Sequence, residues 1–469
     1  EYYRYKYNYA LGEKTGIVGG IDELGPAVTT TDNNSYSHNY GVESYLARIN
    51  YGFKSRYYID ASWRTDGSSR FHPSDRWGHF WSVGASWRIS EEQFMENTRQ
   101  WLDNLTLKVS YGVQGNDNLG TYYAWQGLYD YTWPNATDAG AFVDKLENRK
   151  VTWEKNGNLN AGIEATMFGG RLGVSVEYYN RKTRDMLLNS PLPISTGFTG
   201  FNDNVGSLRN QGLEVSLRGT ILDKRDFRWD ATLMGSFNRN KVLSLTGGQD
   251  VITSGIRVIE VGRPIYTFYL PKTAGVDPAT GKQLYYAYWT QTVNDEGALV
   301  NTRCDEYITD NVAMATLSKY YHESREPKLF GSIGSTFTIL KNIDVSFLTT
   351  YSIGGWVYDG LYNGSMYVQY AGNNWHKNAK RRWQKPGDKT YVPMLEVGGS
   401  YATASNSLID ASYFAIKNIT VGYTLPKRWL KKIDIESLRI YATLDNIAMF
   451  NHMDGMDPQY NFTGSVAYS

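Results

Sequence analysis

The sequence predicts an all-β fold, an antiparallel up-and-down transmembrane β-barrel with long extracellular loops. Three observations carry this reading. Apolar and polar residues alternate along many short segments, short and long connections take turns between them, and 15% of the 469 residues are Phe, Trp or Tyr. Successive side chains of a strand point to opposite faces, so alternation makes one face apolar and the other wet.

The opening Tyr3, Tyr5, Tyr7 and Tyr9, interleaved with Arg4, Lys6 and Asn8, begins the series. In 45–53, Tyr45, Ala47, Ile49, Tyr51 and Phe53 oppose Leu46, Arg48, Asn50 and Gly52. In 57–64, Tyr57, Ile59, Ala61 and Trp63 oppose Tyr58, Asp60, Ser62 and Arg64. Segments 79–89 and 105–113 repeat the pattern, as do 159–167, 172–178, 213–217, 227–237, 329–337, 343–351, 419–425 and 438–444. That makes roughly thirteen candidate strands. Helical character is confined to 91–101, a short polar stretch that suits a helical turn between strands.

The connections have a rhythm. Tight or moderate links at 54–56, 90–104, 168–171, 221–226 and 340–342 alternate with longer ones at 65–78, 114–158, 182–210, 238–328 and 353–414. In an up-and-down barrel successive turns lie at opposite ends, and bacterial outer-membrane barrels gather the short turns in the periplasm and the long loops outside. A propeller would repeat a blade of about 40–50 residues, and no such period is present.

Composition agrees. With 48 Lys+Arg against 47 Asp+Glu, the net charge is +1, without the basic excess of a nucleic-acid binder. Mean hydropathy is -0.48 and no apolar run could form a spanning helix, which leaves spanning strands open. The 38 Tyr and 14 Trp suit interfacial girdles, although a soluble glycan-binding β-protein can share them. Cys304, alone of its kind, reads as an incidental thiol, and the 6 His show no metal-ligand spacing. Residues 1–10 carry no signal-peptide pattern.

Nothing in the chain points to covalent chemistry: it shows no nucleophile elbow, phosphate loop, metal cluster or paired-carboxylate signature. Asp60, Glu164, Glu177 and Glu214 fall on the polar phase of strands and are expected to face a hydrated lumen or a plug. Loops as long as 238–328 are usually functional. The loop aromatics Trp125, Tyr129, Trp133, Tyr266, Tyr269 and Trp289 are therefore candidate ligand- or partner-facing residues. The alternative for most of them is packing of the loops against one another.

Several stretches resemble the SusC family of TonB-dependent transporters. Asp66-Gly67-Ser68-Ser69-Arg70-Phe71 is similar to the family's DGSSRF segment, followed by Arg76-Trp77-Gly78 and by Ser82-Val83-Gly84-Ala85-Ser86-Trp87-Arg88-Ile89. Val109-Ser110-Tyr111-Gly112, Gly115-Asn116 and Tyr178-Tyr179-Asn180-Arg181 continue the likeness. So do Asn204-Val205-Gly206-Ser207-Leu208-Arg209-Asn210-Gln211-Gly212, Gly275-Val276-Asp277-Pro278-Ala279-Thr280-Gly281, Lys417-Asn418-Ile419 and Asp445-Asn446-Ile447. Gly206, Gly212, Gly275 and Gly281 suit turns or bulges with unusual backbone angles. A calcium ion near Asp277, Asp295 and Glu296 is conceivable, but the spacing lacks the EF-hand pattern.

The resemblance implies the C-terminal part of a 22-stranded barrel whose plug and N-terminal strands lie outside this sequence. It implies import of a nutrient, an oligosaccharide or peptide, with a SusD-like surface lipoprotein, with TonB acting through the absent N-terminal region, and in a lipid bilayer. The rest of the barrel is expected from a second chain or from missing sequence. Gly455-Met456-Asp457-Pro458 should precede a closing strand, yet the chain stops at Ser469. Two readings compete: a soluble β-rich glycan-binding protein, and a porin or scaffold subunit of an outer-membrane assembly.

Overall fold

Thirteen strands form one antiparallel sheet and pair in chain order. They are β1 (Tyr2–Thr15), β2 (Thr29–Phe53), β3 (Tyr57–Ser68), β4 (Trp77–Arg88), β5 (Leu102–Asn116), β6 (Glu154–Met167), β7 (Leu172–Arg184), β8 (Ser207–Lys224), β9 (Phe227–Ser244), β10 (Leu329–Ile339), β11 (Ile343–Ile353), β12 (Tyr413–Thr424) and β13 (Arg439–Asn451). The structure is a computed structural model that describes all residues except 18, 21, 132, 134–135, 137, 139, 246–249, 367–373, 397–400, 432–433, 453–456 and 461–469. The expected closing strand after 455–458 lies outside the described residues.

The alternation seen in the sequence becomes two continuous rows across the sheet. One row runs Tyr51, Ile59, Ala85, Val109, Ala161, Tyr178, Leu213 and Phe237, each paired with the next across neighbouring strands. One residue along, on the other face, lie Asn50, Asp60, Gly84, Ser110, Asn160, Tyr179, Gly212 and Asn238. Among the described residues nothing covers the apolar row, and Ile49 is 71% and Ile59 52% exposed. A belt of this extent is costly in water and suits hydrocarbon. In β2 the apolar alternation holds from Tyr45 to Phe53, about the length that crosses a bilayer on a tilted strand.

The buried clusters lie among the loops instead. Phe71, Phe80, Val151 and Trp153 form one, and Phe268, Leu270, Tyr358 and Leu408 another. The connection after β4 contains the expected helical turns, as 3-10 segments Ile89–Glu91 and Gln93–Thr98.

Two features differ from the sequence reading. Strand β2 begins at Thr29, so β1 pairs with its first half as a hairpin standing beyond the apolar belt. The long connection after β9 is no open loop: Val251–Ser254, Arg257–Glu260, Thr267–Val276, Gln283–Val293, Leu299–Thr309 and Lys319–Ser324 build a second sheet. Its one helix among the described residues, Val312–Leu317, starts at Asn311, whose side chain accepts from the Ala313 and Met314 amides.

Candidate functional site

The polar face of the wall and the undersides of the long loops enclose the site. Where β7, β8 and β9 emerge toward the loops, a cavity of about 620 Å³ opens. The wall contributes Glu177, Tyr179, Arg181 and Glu214, and the loops contribute Tyr266, Arg325, Glu326 and Trp356. A smaller hollow of about 260 Å³ lies further down the same face, beside Asp60, Lys108, Glu164 and Glu177. There Lys108 Nζ meets Glu164 Oε1 at 2.6 Å.

Each wall side chain is fixed by the pleat and by hydrogen bonds. Tyr179 donates its hydroxyl to Asn238 Oδ1 at 2.8 Å, across Gly212. Gly212 needs no positive φ here. Its role is close approach, since a Cβ would collide with the Tyr179 ring and the Phe237 carbonyl. Gly206, Gly275 and Gly281 do take positive φ, as the sequence suggested. Asn240 ties the loop to the wall: its amide N–H donates to Glu326 Oε2 at 3.2 Å, and its Oδ1 accepts from the Ile265 N–H at 2.8 Å.

Electrostatics at the upper rim follow from burial. Desolvation raises the Glu326 carboxyl above its ordinary range, partly offset by the Asn240 N–H. Burial, with the nearby positive charge of Arg257, pushes the Arg325 guanidinium down to about 10. Carboxylates, guanidinium groups, amides and aromatic rings thus share one hollow. Such a lining can hydrogen-bond and stack against an uncharged polar or zwitterionic ligand.

Of the aromatic candidates, Tyr266 lines this cavity. Trp125 packs on the Phe71 cluster and meets His72 edge-on at 5.1 Å. Tyr269 lies 4.9 Å from Tyr321 in the loop sheet, and Trp289 receives the Tyr307 hydroxyl on its carbonyl. Tyr129 and Trp133 are exposed, away from the cavity lining. Asp60, Glu164, Glu177 and Glu214 all lie along the hollows of the polar face. Arg325, Glu326 and Trp356 escaped sequence reading because loop folding brings them in. Tyr179 could have been found, since it opposes the apolar phase of β7.

The DGSSRF segment acquires a physical role. Asp117, next after Gly115-Asn116, accepts from the Ser68 hydroxyl at 2.7 Å and the Tyr40 hydroxyl at 2.8 Å, while Arg70 Nη1 reaches it at 3.2 Å. Arg70 also lies over the Tyr40 and Tyr122 rings, and Phe71 is fully buried against Trp153. Burial and the Asp117 carboxylate push the Tyr40 phenol up to about 12. Near the suggested calcium loop, the Asp277 carboxylate accepts from its own Ala279 N–H and Thr280 hydroxyl. No group of three or more His, Cys, Asp or Glu that could hold a metal ion occurs among the described residues.

A spanning wall with short turns at one end, long loops at the other and a polar inner hollow defines an outer-membrane β-barrel. The model of the family described as TonB dependent receptor-like, beta-barrel, matches residues 1–447, and the chain belongs to that family. Its members are receptors and transporters of the outer membrane, not enzymes. The chain is 28% identical to TonB-dependent receptor P39 of Formosa agariphila, over 94% of this chain and 45% of that protein. It is also 28% identical to TonB-dependent receptor SusC of Bacteroides thetaiotaomicron, over 91% of this chain and 42% of that protein. Among solved structures, the RagAB peptide importer in its closed-closed state superposes with a TM-score of 0.82 at 28% identity, covering 98% of this chain and 50% of that one. The chain spans about half the length of the relatives it matches. The soluble glycan-binding reading is set aside by the family and by the exposed apolar belt.

Proposed function

We propose that this chain forms part of the barrel of an active importer, and that the 620 Å³ hollow beneath the loops receives the nutrient. The observation that carries the proposal is the mixed lining at that hollow, where Tyr266 and Glu326 from the connection after β9 and Trp356 from the connection after β11 join Glu214 and Tyr179 of the wall. In this reading the plug and the remaining strands belong to sequence outside the chain, TonB acts on that region from the periplasm, and a SusD-like lipoprotein covers the loops. The cargo is an oligosaccharide or a peptide; the likeness to a peptide importer favours the second.

The test is uptake by cells carrying the complete gene with Tyr266→Ala and Trp356→Ala. Depletion of peptides and of oligosaccharides from the medium is followed separately. Loss of one class of uptake, with the barrel still resistant to unfolding by SDS at low temperature, supports import. Unchanged depletion of both classes on deleting the whole gene sinks it and leaves the scaffold reading.

A further inference from the structure

We propose that the short-turn rim of the wall binds the headgroups of anionic phospholipid in the periplasmic leaflet. The tight turns supply the first observation. Lys54, Phe168, Leu340 and Lys341 all have positive φ, between 49° and 64°. Glycine or asparagine takes such positions freely, whereas these side chains adopt them at a cost. Backbone bonds between turns hold the bends, Phe168 N–H to the Trp101 carbonyl and Leu340 N–H to the Asp226 carbonyl, both at 2.7 Å. The side chains themselves are turned outward, and Phe168, Leu340, Lys54 and Lys341 are all exposed.

The second observation is a pairing repeated around the rim. At three of the tight turns an exposed apolar tip has a cation near it in the chain: Phe53 with Lys54, whose Nζ lies 5.2 Å over the ring, then Phe168 with Arg171 three residues on, and Leu340 with Lys341. The longer turns do the same, with Trp101 beside Arg99 and Trp429 beneath Arg428 at 5.9 Å. An apolar tip at the end of a spanning strand sits at the headgroup boundary, and a neighbouring cation then meets lipid phosphate.

Charge bookkeeping at the rim supports an anionic partner. Two of the three acids of the long turn are engaged, Glu92 by Arg56, Tyr57 and Trp87, and Glu91 by Arg88, which leaves Glu96 exposed. Asp103 accepts from the Gly170 N–H. Among the described residues no ion pair reaches Lys54, Arg99, Arg171 or Lys341. The β8–β9 turn, where Asp223 and Asp226 flank Lys224 and Arg225, is the least cationic member of the ring.

The test uses the complete protein, purified in detergent and placed in nanodiscs of equal phosphatidylglycerol and phosphatidylethanolamine. Lipid retained after delipidation is counted by native mass spectrometry. The wild type is expected to retain phosphatidylglycerol preferentially. Lys54→Asn and Lys341→Asn should each lower that retention by roughly fivefold. Asparagine relaxes the left-handed turn, so the variants should fold at least as well as the wild type. Equal retention of both lipids by the wild type overturns the proposal, as do variants that keep phosphatidylglycerol undiminished. Displacement of the lipid by inorganic phosphate would also overturn it, by showing a free-anion site.

Discussion

Arg439 holds Asp344 through two hydrogen bonds, Nε to Oδ1 at 3.0 Å and Nη2 to Oδ2 at 2.5 Å, although their strands are not neighbours. β12 runs between them, and the pair passes directly over Gly422, where a Cβ would collide with both side chains. The glycine is the gap through which β11 and β13 are clasped. Gly422→Val would push aside the ends of both flexible side chains and so open the clasp. Like Arg439→Ala, on a half-exposed pair, it should cost no more than about 1 kcal/mol. Unfolding midpoints of the purified barrel check this; a much larger loss in either variant would refute it.

Glu92 fastens the first two short turns by accepting from Tyr57, Trp87 and Arg56. Those bonds, led by the Tyr57 hydroxyl, hold its carboxyl below the ordinary 4.5. A depressed folded value means the contribution is complete above the unfolded value and disappears as pH falls through the folded one. The protection of amides at 89–101 against hydrogen exchange, taken relative to the intrinsic rate at each pH, should fall in acid in the wild type. In Glu92→Gln it should be low already at neutral pH. Protection unchanged with pH in both would contradict this.

Glu326 has the opposite sign. Its carboxyl is raised by burial, so folding favours the protonated form, and stability declines as pH climbs from the unfolded value through the raised folded one. Glu326→Gln keeps an acceptor for the Asn240 N–H and removes the desolvated charge. The contact between the 325–328 segment and the wall should become more protected at neutral pH, and its pH dependence should flatten. Limited proteolysis across a pH series reads both effects.

Trp153 closes the cluster that seats the loop after β5. Its ring lies 5.3 Å from those of Phe71, tilted, and Phe80, edge-on, and its indole N–H donates to the Arg76 carbonyl at 2.8 Å. Trp153→Ala should destabilise this local unit by about 3–5 kcal/mol. Cleavage of the loop by protease at an unchanged rate would show the cluster to be dispensable.

All thirteen wall strands were legible in order, because a bilayer on one side and water on the other impose the strongest period-two contrast a strand can carry. The first half of β2 was not legible. Tyr36, His38 and Tyr40 alternate with Ser37 and Asn39, so neither face is plainly apolar. The sheet within the 245–328 connection hid for a related reason: buried Tyr285 and Ala287 alternate with Tyr286 and Tyr288, aromatic on both faces. In the candidate site, Glu177 and Glu214 were visible from strand phase. Arg325 and Trp356 depend on contacts distant in sequence, which no local pattern records.

The strands that enter and leave that inserted sheet, β9 and β10, are direct neighbours in the wall, paired from Phe227 with Ile339 to Ser236 with Phe330. The register beneath is therefore complete whatever the insert contains. Because the entropy of closing a loop grows only logarithmically, doubling the insert would cost about 0.6 kcal/mol. The part proposed to meet cargo can thus be exchanged almost as a cassette, while the wall that meets lipid keeps its own register.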